Sequence, residues 1–340
     1  MRFGIFGGAQ ASAGSSDASM GQGFHDFIEF NVEAEALGFH STFLVEHHFT
    51  GWNQVSATLS LLTWLGARTT TLRLGSAVMV LPWHNPVLLA EQAATLDLLS
   101  DGRLDFGVGK GYRHNEFTGF AIPIEEADAR FEESLDVITR AWTSDERFSH
   151  HGRFWRFENI VVEPPTKQKP HPPFWMGAGS PGSIRKVAER GYNLLLDQFA
   201  DFALVRERIA LFKRETAARG RPFDPMHVTL ARDMHVAKDV ADKEAAIERN
   251  NKAHARILSV ARAPDRQGGS HILAYAHTYE ESVANTLIGT PDEIAAKLDA
   301  LRKAGVEYVI LSCGSSRESL RRFARDIMPT FADTREAAIA

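Results

Sequence analysis

Short apolar runs alternate with longer amphipathic segments along almost the whole chain. The runs are continuously apolar, which is typical of parallel strands that are covered on both faces. The predicted strands are 3–7, 42–45, 72–81, 104–108, 174–178, 193–196, 227–236 and 306–311. The segments between them repeat apolar residues at helical spacing. The predicted helices are 24–37, 56–67, 86–99, 131–142, 183–190, 202–219, 240–260, 291–303 and 320–327.

Eight strands alternating with helices in 340 residues predict a (β/α)8 TIM barrel with insertions. Segment 148–162 interrupts the alternation and predicts a hairpin that turns at His151-Gly152. No shift in composition marks a boundary, so residues 1–340 are predicted to form a single domain. Because periodicity does not show closure, an open doubly wound sheet stays as the alternative.

The composition narrows the class of protein. Hydrophobic residues make up 44% and charged residues 24%, which excludes a disordered chain. The net charge of −5 argues against binding to nucleic acid or to an anionic membrane. The apolar runs are far shorter than the roughly 20 residues that span a bilayer. The single cysteine, Cys313, excludes an intramolecular disulfide, fits a cytoplasmic location and is expected to be a small buried side chain.

Two adjacent histidines, His47 and His48, follow the second predicted strand. In a (β/α)8 barrel the loops after the strands form the active site, so this is a candidate position for chemistry. Because neighbouring strand residues point to opposite faces, only one of the two is expected to face the barrel mouth. A general base, or a histidine held by Glu46, fits better than a metal ligand. We therefore predict no metal site.

Two loops that follow neighbouring strands predict an anion site. A glycine-rich segment ends the fourth predicted strand and carries Lys110. The loop after the fifth strand has Ser180 as a candidate N-cap, and free amides of Gly182 and Ser183 would attract an anion. Since neighbouring strands lie side by side, the lysine and this loop together predict a phosphate site.

Aromatic side chains crowd the loops after the second, third and fourth predicted strands. Their position among glycine and proline predicts an apolar pocket beside the phosphate site. These residues are Phe49, Trp52, Trp83, Tyr112, Phe117 and Phe120. The pocket favours a small, largely apolar substrate such as an aldehyde, a ketone or a terpenoid. The polar segment 263–285 is predicted to be a mobile lid over it, with a surface loop of no function as the alternative.

Several segments together resemble the bacterial-luciferase-like flavin-dependent monooxygenases. The similarity runs through nearly the whole chain, and its most specific parts are 43–49, 74–82, 98–104, 107–111 and 289–291. The resemblance implies a (β/α)8 barrel that binds reduced FMN supplied by a separate NAD(P)H:flavin reductase. Oxygen then forms a flavin hydroperoxide, which oxidises an organic substrate. The resemblance also implies a homodimer.

The resemblance assigns roles to individual residues. His47 matches the catalytic histidine, expected to act as a base, and His48 matches its less central neighbour. Lys110 stands at the position of a phosphate-binding arginine, and Ala77-Val78 matches a site that often holds a non-proline cis peptide under the flavin ring. The predicted cofactor-binding residues are Ala77, Val78, Lys110, Gly179, Ser180, Gly182 and Ser183.

The chain departs from the luciferases at two positions. Gly109 stands where they carry a reactive cysteine, so no thiol chemistry is expected there. Gln198 aligns with a luciferase tryptophan, which predicts a different pocket and argues against light emission. The predicted substrate pocket therefore comprises His48, Trp52, Trp83, Tyr112, Phe117 and Gln198.

Three other functions stay open at this point. The first is a deazaflavin-dependent oxidoreductase of the same fold. The second is a flavin-binding protein without catalysis. The third is a metal-dependent barrel hydrolase, which the histidine spacing disfavours.

Overall fold

The computed structural model describes residues 1–11, 21–261, 272, 275, 278–314 and 316–332. Within them the strands are β1 (Arg2–Gly7), β2 (Ser41–Leu44), β3 (Arg73–Ser76), β4 (Met79–Val80), β5 (Leu104–Gly109), β6 (Phe148–His151), β7 (Arg156–Ile160), β8 (Phe174–Gly177), β9 (Asn193–Leu196), β10 (Val228–Val236), β11 (Leu287–Gly289) and β12 (Tyr308–Ser312). The helices are α1 (Gln22–Ala36), α2 (Thr58–Arg68), α3 (Pro86–Leu99), α4 (His114–Gly119), α5 (Ala127–Thr143), α6 (Pro181–Arg190), α7 (Phe202–Ala217), α8 (Val240–Ala261), α9 (Tyr279–Asn285), α10 (Pro291–Ala304), α11 (Arg317–Asp326) and α12 (Met328–Phe331).

Eight of the described strands form a closed parallel barrel. Around the barrel their order is β1, β2, β3, β5, β8, β9, β10 and β12. The ring closes where β12 pairs with β1, with Tyr308 opposite Arg2 and Leu311 opposite Ile5. The predicted (β/α)8 barrel is therefore confirmed, and the open sheet is wrong because the first and last strands are neighbours.

Large side chains fill the interior of the barrel below the carboxyl ends of its strands. Phe43 of β2, Trp175 of β8 and Tyr308 of β12 contact one another edge to face, with ring centres 5.7 to 6.2 Å apart. All three are buried, and Tyr308 donates its hydroxyl to Ser41 Oγ at 2.5 Å. Because this layer occupies the interior, open space remains only towards the carboxyl ends of the strands.

The third predicted strand, 72–81, is broken in the structure. It divides into β3 and β4, and a short 3-10 helix follows at Leu81–Trp83. The peptide between Ala77 and Val78 is cis, as the resemblance implied, and it lies in the gap between the two strands. The apolar run that predicted one strand therefore passes through a turn at the carboxyl end of the barrel.

The segment predicted as a hairpin contains β6 and β7, which pair antiparallel. Glu133 of α5 fixes its turn, because its carboxylate accepts hydrogen bonds from the backbone amides of Arg153, Phe154 and Trp155. The sequence did not predict α4, α9 or β11, each of which has seven residues or fewer. Such short elements are specified by tertiary contacts rather than by periodicity.

The predictions for Cys313, for the lid segment and for membrane spans can be compared with the structure. Cys313 is only partly buried, because it lies at the open end of β12 rather than within the strand. Most of the predicted lid, 263–285, lies outside the described residues, and its described end forms α9. Within the described part of the chain, no helix has the length and apolar character that a membrane span requires. The single-domain assignment stays a prediction.

Candidate active site

A cavity of about 810 Å³ opens at the carboxyl ends of the barrel strands. Its wall runs around the barrel, from Phe6 on β1 to Gly109 on β5 and Ser312 on β12. Binding pockets for small molecules usually have volumes of about 300–1,000 Å³. The cavity is therefore large enough for a cofactor-sized ligand, at the end of the barrel where the sequence placed the chemistry.

His47 lies in the cavity wall, and its imidazole ring is hydrogen-bonded to the buried carboxylate of Glu116. Its Nδ1 lies 3.0 Å from Oε1 of Glu116, which also accepts a hydrogen bond from the backbone amide of His48 at 2.9 Å. Since an ionised carboxylate only accepts, Nδ1 carries the proton, and Nε2 is left as the basic nitrogen. Glu116 thus fixes both the tautomer and the orientation of the ring.

The surroundings of His47 keep its ring neutral. Burial lowers the pKa of His47, and the positive charge of Arg113 lowers it further. Glu116 and Glu46 act in the opposite direction, and the net pKa lies below its ordinary value of 6.5. At neutral pH the imidazole therefore has a free lone pair, which is what a general base requires.

His48 points away from the cavity, as the alternation of strand residues predicts for one of the pair. Its Nε2 lies 3.2 Å from Oε1 of the buried Glu46, which also pairs with His84 Nε2 at 2.7 Å. The second oxygen of Glu46 accepts the backbone amide of Val80 at 2.7 Å. This carboxylate therefore ties the loop after β2 to β4.

Trp83 and Phe117, like His48, lie outside the cavity wall. The three side chains pack with Phe120 into an aromatic cluster behind it, in which the Trp83 ring centre is 5.3 Å from that of Phe120 and 5.6 Å from that of Phe117. Their placement in the substrate pocket was predicted from the loops on which they lie, but these rings pack against each other instead. The cluster supports the wall from outside.

Trp52, Tyr112 and Gln198 do line the cavity. The loop that carries Gln198 is fixed by Asp197, which accepts hydrogen bonds from Arg208 at 3.0 Å and from the Tyr275 hydroxyl at 3.1 Å. The guanidinium of Arg256 on α8 lies 4.3 Å from the centre of the Trp52 ring. The mouth of the cavity is therefore lined by the aromatic rings of Trp52 and Tyr112 and by the guanidinium of Arg256.

The predicted anion site lies at one side of the same cavity. Lys110 follows β5, which pairs with β8, and Ser180 and Ser183 lie at the start of α6 after β8. All three line the cavity together with Lys186, whereas Gly179 and Gly182 lie beside it. The lysine ammonium groups pair with Asp128 and Glu132 of α5, at 2.8 and 2.7 Å. Exposed ion pairs of this kind are weak, so an anion can replace the carboxylates.

The amide of Ser183 is not free, contrary to the prediction. It donates to Ser180 Oγ at 3.2 Å, while the amide of Ser180 donates to Ser183 Oγ at 3.1 Å. This reciprocal capping box satisfies both groups within the helix start. The helix dipole and the nearby lysines remain as the features that attract an anion.

Val78 forms the floor of the cavity between two strands. A Cβ atom on Gly109 would lie 2.5 Å from Val78 Cγ2, and one on Gly177 would lie 3.4 Å from Val78 Cγ1. The glycines of β5 and β8 therefore let the Val78 side chain approach their backbones. The Ala77-Val78 segment is fixed in this position by the strands on either side.

Most of the chain matches one known family. Residues 1–308 match the model of a family described as luciferase-like monooxygenase. The chain belongs to this family.

Relatives of this luciferase-like monooxygenase cover most of its length. The oxygenase component of flavin-dependent trigonelline monooxygenase from Acinetobacter baylyi is 25% identical over 98% of this chain and 97% of its own. The FMNH2-dependent dimethylsulfone monooxygenase of Pseudomonas putida is 28% identical over 81% of this chain and 79% of its own. The crystal structure of monooxygenase RslO1 from Streptomyces bottropensis superposes with a TM-score of 0.85 at 26% identity, covering 98% of this chain and 100% of RslO1. The protein is thus an enzyme, a flavin-dependent monooxygenase of the luciferase-like family.

The residues of this luciferase-like monooxygenase fit a flavin phosphate. The cavity joins a cationic helix start to a floor at Ala77-Val78, where glycines keep the neighbouring backbones close. A flat, phosphorylated ligand matches this combination of charge and shape. Among the described residues, no group of three or more His, Cys, Asp or Glu side chains could hold a metal ion.

Sequence reasoning missed Glu116, Arg113 and Arg256. Arg113 is the N-cap of α4 and Glu116 lies within this helix, which follows the glycine-rich end of β5. Their position after the carboxyl end of a barrel strand is a signal that could have found them. Arg256 lies within a long helix, and nothing in the sequence distinguishes it from the other charged residues there.

Proposed function

We propose that this chain is the oxygenase component of a two-component system. It would bind reduced FMN delivered by a separate NAD(P)H:flavin reductase and use O2 to oxidise a small organic substrate with an apolar or aromatic body. The names of two relatives support this, since one is an oxygenase component and the other is FMNH2-dependent. The observation that carries the proposal is that one cavity holds both the His47–Glu116 pair and the cationic end around Lys110.

Each end of the cavity has its own task in this proposal. Lys110, Ser180 and Ser183 would hold the phosphate, and Ala77-Val78 would face the ring. When bound, reduced FMN would supply the two electrons that activate O2, so that one oxygen atom of O2 is transferred to the substrate and the other leaves as water. The protein excludes water through the closed barrel and its aromatic support, because water promotes wasteful release of hydrogen peroxide.

His47 acts as the base in this scheme. Its protonated Nδ1 is held by Glu116, so Nε2 can accept a proton at the cavity side. The low pKa of His47 keeps Nε2 free at neutral pH. Proton transfer by a side chain placed in this way contributes about 10²–10⁴-fold to a reaction rate.

The experiment that tests the function combines flavin binding with isotope transfer. Reduced FMN and a reduced deazaflavin are titrated anaerobically, and the loaded protein is then mixed with ¹⁸O₂ and a panel of aldehydes, ketones, terpenoids and aromatic carboxylic acids. We expect FMN binding and one ¹⁸O atom in the product. The variant His47→Ala should bind FMN with unchanged affinity and lose about 100-fold in product formation, while the surface variant His25→Ala keeps both.

The other outcomes decide between the alternatives. Unchanged product formation in His47→Ala would remove that residue from the mechanism. Preferred binding of the deazaflavin, with hydride transfer and no ¹⁸O in the product, would indicate the deazaflavin-dependent oxidoreductase. FMN binding without any product from the panel would favour a non-catalytic flavoprotein.

We further infer a homodimer. Large apolar side chains on the outer surface of α2 and α3 are exposed, among them Trp64 at 55%, Leu88 at 53% and Leu99 at 69%. Apolar patches of this kind often mark an interface between subunits. Sedimentation velocity of the purified protein would show a dimer, and a monomer at all concentrations would contradict the inference. The cytoplasmic location stays a prediction.

A further inference from the structure

Arg113 is a buried guanidinium in the cavity wall. It is only 2% exposed, and it lies at the N-cap of α4. Its Nε and Nη1 atoms are buried and have no hydrogen-bond partner among the described residues. Buried polar groups are nearly always hydrogen-bonded, so each of these donors needs a partner that the described chain does not supply.

The charge of Arg113 is also uncompensated at short range. Within the described ranges it forms no ion pair. The buried carboxylates around His47 contact histidines instead: Glu116 pairs with His47, and Glu46 pairs with His48 and His84. Burying a cation without a partner is costly, because the charge loses its hydration and gains no compensating interaction. A ligand that brings an anionic oxygen would remove this cost.

The surroundings of Arg113 differ from those of the predicted phosphate site. The ammonium group of Lys110, three residues earlier, pairs with Asp128 of α5 at 2.8 Å. Arg113 lies instead next to the carboxylate that holds His47, since its carbonyl accepts the backbone amide of Glu116 at 3.2 Å and Glu116 Oε1 lies 3.0 Å from His47 Nδ1. A second arginine of the cavity wall, Arg256, lies over the Trp52 ring, and it too has no ion pair within the described part of the chain.

We propose that Arg113 binds an anionic oxygen of the substrate, of the carboxylate type, beside His47. The proposal rests on the function proposed above and specifies its substrate class, an apolar or aromatic body that carries an acid group. A guanidinium presents two parallel N–H donors that match the two oxygens of a carboxylate. Trp52 and Arg256 would then contact the body of the substrate at the mouth.

Substrate binding would also prepare the base. The positive charge of Arg113 is one of the two largest causes that lower the pKa of His47. When a carboxylate neutralises that charge, Glu116 and Glu46 remain to raise the pKa of His47, and the imidazole becomes a stronger base. The catalytic group would therefore gain basicity only when the substrate is in place.

Matched probes test the proposal on the FMN-loaded protein. Benzoate and benzamide have the same shape and differ in charge, and calorimetry measures the affinity of each. We expect benzoate to bind at least about tenfold more tightly than benzamide. Arg113→Gln should abolish this preference without changing FMN affinity, and Arg113→Lys should retain part of it. The exposed Arg68→Gln is the control and should behave as the wild type.

The benzoate, benzamide and FMN affinities together decide whether Arg113 binds the substrate. Equal affinity of the wild type for benzoate and benzamide would overturn the proposal, whether or not the variants fold. Loss of FMN affinity in Arg113→Gln with the benzoate preference intact would also overturn it, because the guanidinium would then serve the flavin. A wild type that prefers benzoate but binds no FMN would leave this assignment standing and contradict the proposed cofactor.

Discussion

The Nδ1 atom of His47 lies 3.0 Å from Oε1 of Glu116, and the two residues belong to segments that follow different barrel strands. Their contact exists only because β2 and β5 end on the same side of the barrel. Glu116 is buried and also accepts the amide of His48, so it has little freedom to move. The pair is therefore a rigid unit whose electrostatics can be tested directly.

Removing the charge of Glu116 should weaken the base. In Glu116→Gln the group that raises the pKa of His47 is lost, so the pKa of His47 falls further below 6.5. We expect the acid limb of the pH–rate profile to move to lower pH and the maximal rate to fall about tenfold or more. NMR titration of labelled histidine measures the pKa directly. The exposed Glu125→Gln is the control, and an upward shift of the His47 pKa would contradict the assignment.

A negative charge at the start of α6 should repel the flavin phosphate. Asp at position 183 is favourable to the helix, because it lies in the first turn near the positive end of the dipole. We therefore expect Ser183→Asp to keep its thermal stability but to lose about tenfold or more in FMN affinity, measured by fluorescence. Ser183→Asn has the same size without the charge, and it should bind FMN more tightly than the Asp variant. Equal affinities would mean that the phosphate lies elsewhere.

A methyl group on Gly109 should disturb the cavity floor. Its Cβ would lie 2.5 Å from Val78 Cγ2, so the Val78 side chain or β5 has to move. We expect Gly109→Ala to lower the free energy of unfolding by about 1–3 kcal/mol and to weaken FMN binding. The control is the exposed Gly21→Ala, where a Cβ meets no atom within 4 Å. Denaturant titration and flavin fluorescence measure the two effects, and a fully wild-type Gly109→Ala would contradict the role of this contact.

The buried Glu46 should make the folded state sensitive to acid. Burial alone raises its pKa, but hydrogen bonds from His48, His84 and the amide of Val80 outweigh this and hold the pKa below its ordinary value of 4.5. A carboxyl group with a lowered folded pKa stabilises the protein above its unfolded pKa and loses that contribution as the pH falls. The contribution of Glu46 is therefore complete above 4.5 and declines below it.

The variant Glu46→Gln tests this sign. We expect it to lower the free energy of unfolding by about 2–3 kcal/mol at neutral pH, since a buried acceptor of several hydrogen bonds is lost. The difference from the wild type should shrink as the pH falls below about 4.5. Urea titrations at a series of pH values measure it, with the exposed Glu29→Gln as the control. A difference that grows towards acid pH would contradict the lowered pKa.

The barrel could be predicted from the sequence because its strands are continuously apolar. Each of the eight predicted strands corresponds to an observed barrel strand within the described chain, since burial on both faces leaves a clear signal. The break between β3 and β4 did not show, because residues 77–78 are as apolar as a strand and only the backbone turns there. The helix α4 could not be predicted from periodicity either, since six residues are too few to show a helical repeat.

The candidate site could be predicted only in part. His47, Lys110, Ser183, Trp52 and Gln198 reach one cavity because the carboxyl ends of parallel strands meet at the same end of the barrel. That rule places loops but does not orient side chains. The aromatic rings behind the cavity wall pack against one another instead of lining the cavity. The pairing of Glu116 and Glu46 with the histidines could not be predicted, because the burial of a charged side chain depends on packing between distant segments.

The cavity can form only after the barrel has closed during folding. Its wall contains Phe6 from β1 and Ser312 from β12, so it is incomplete until strands about 300 residues apart have paired. A nascent chain on the ribosome therefore has no finished pocket until β12 has emerged. A fragment that ends before this strand would leave β1 with an open edge and would not retain the cofactor, however well its own helices formed.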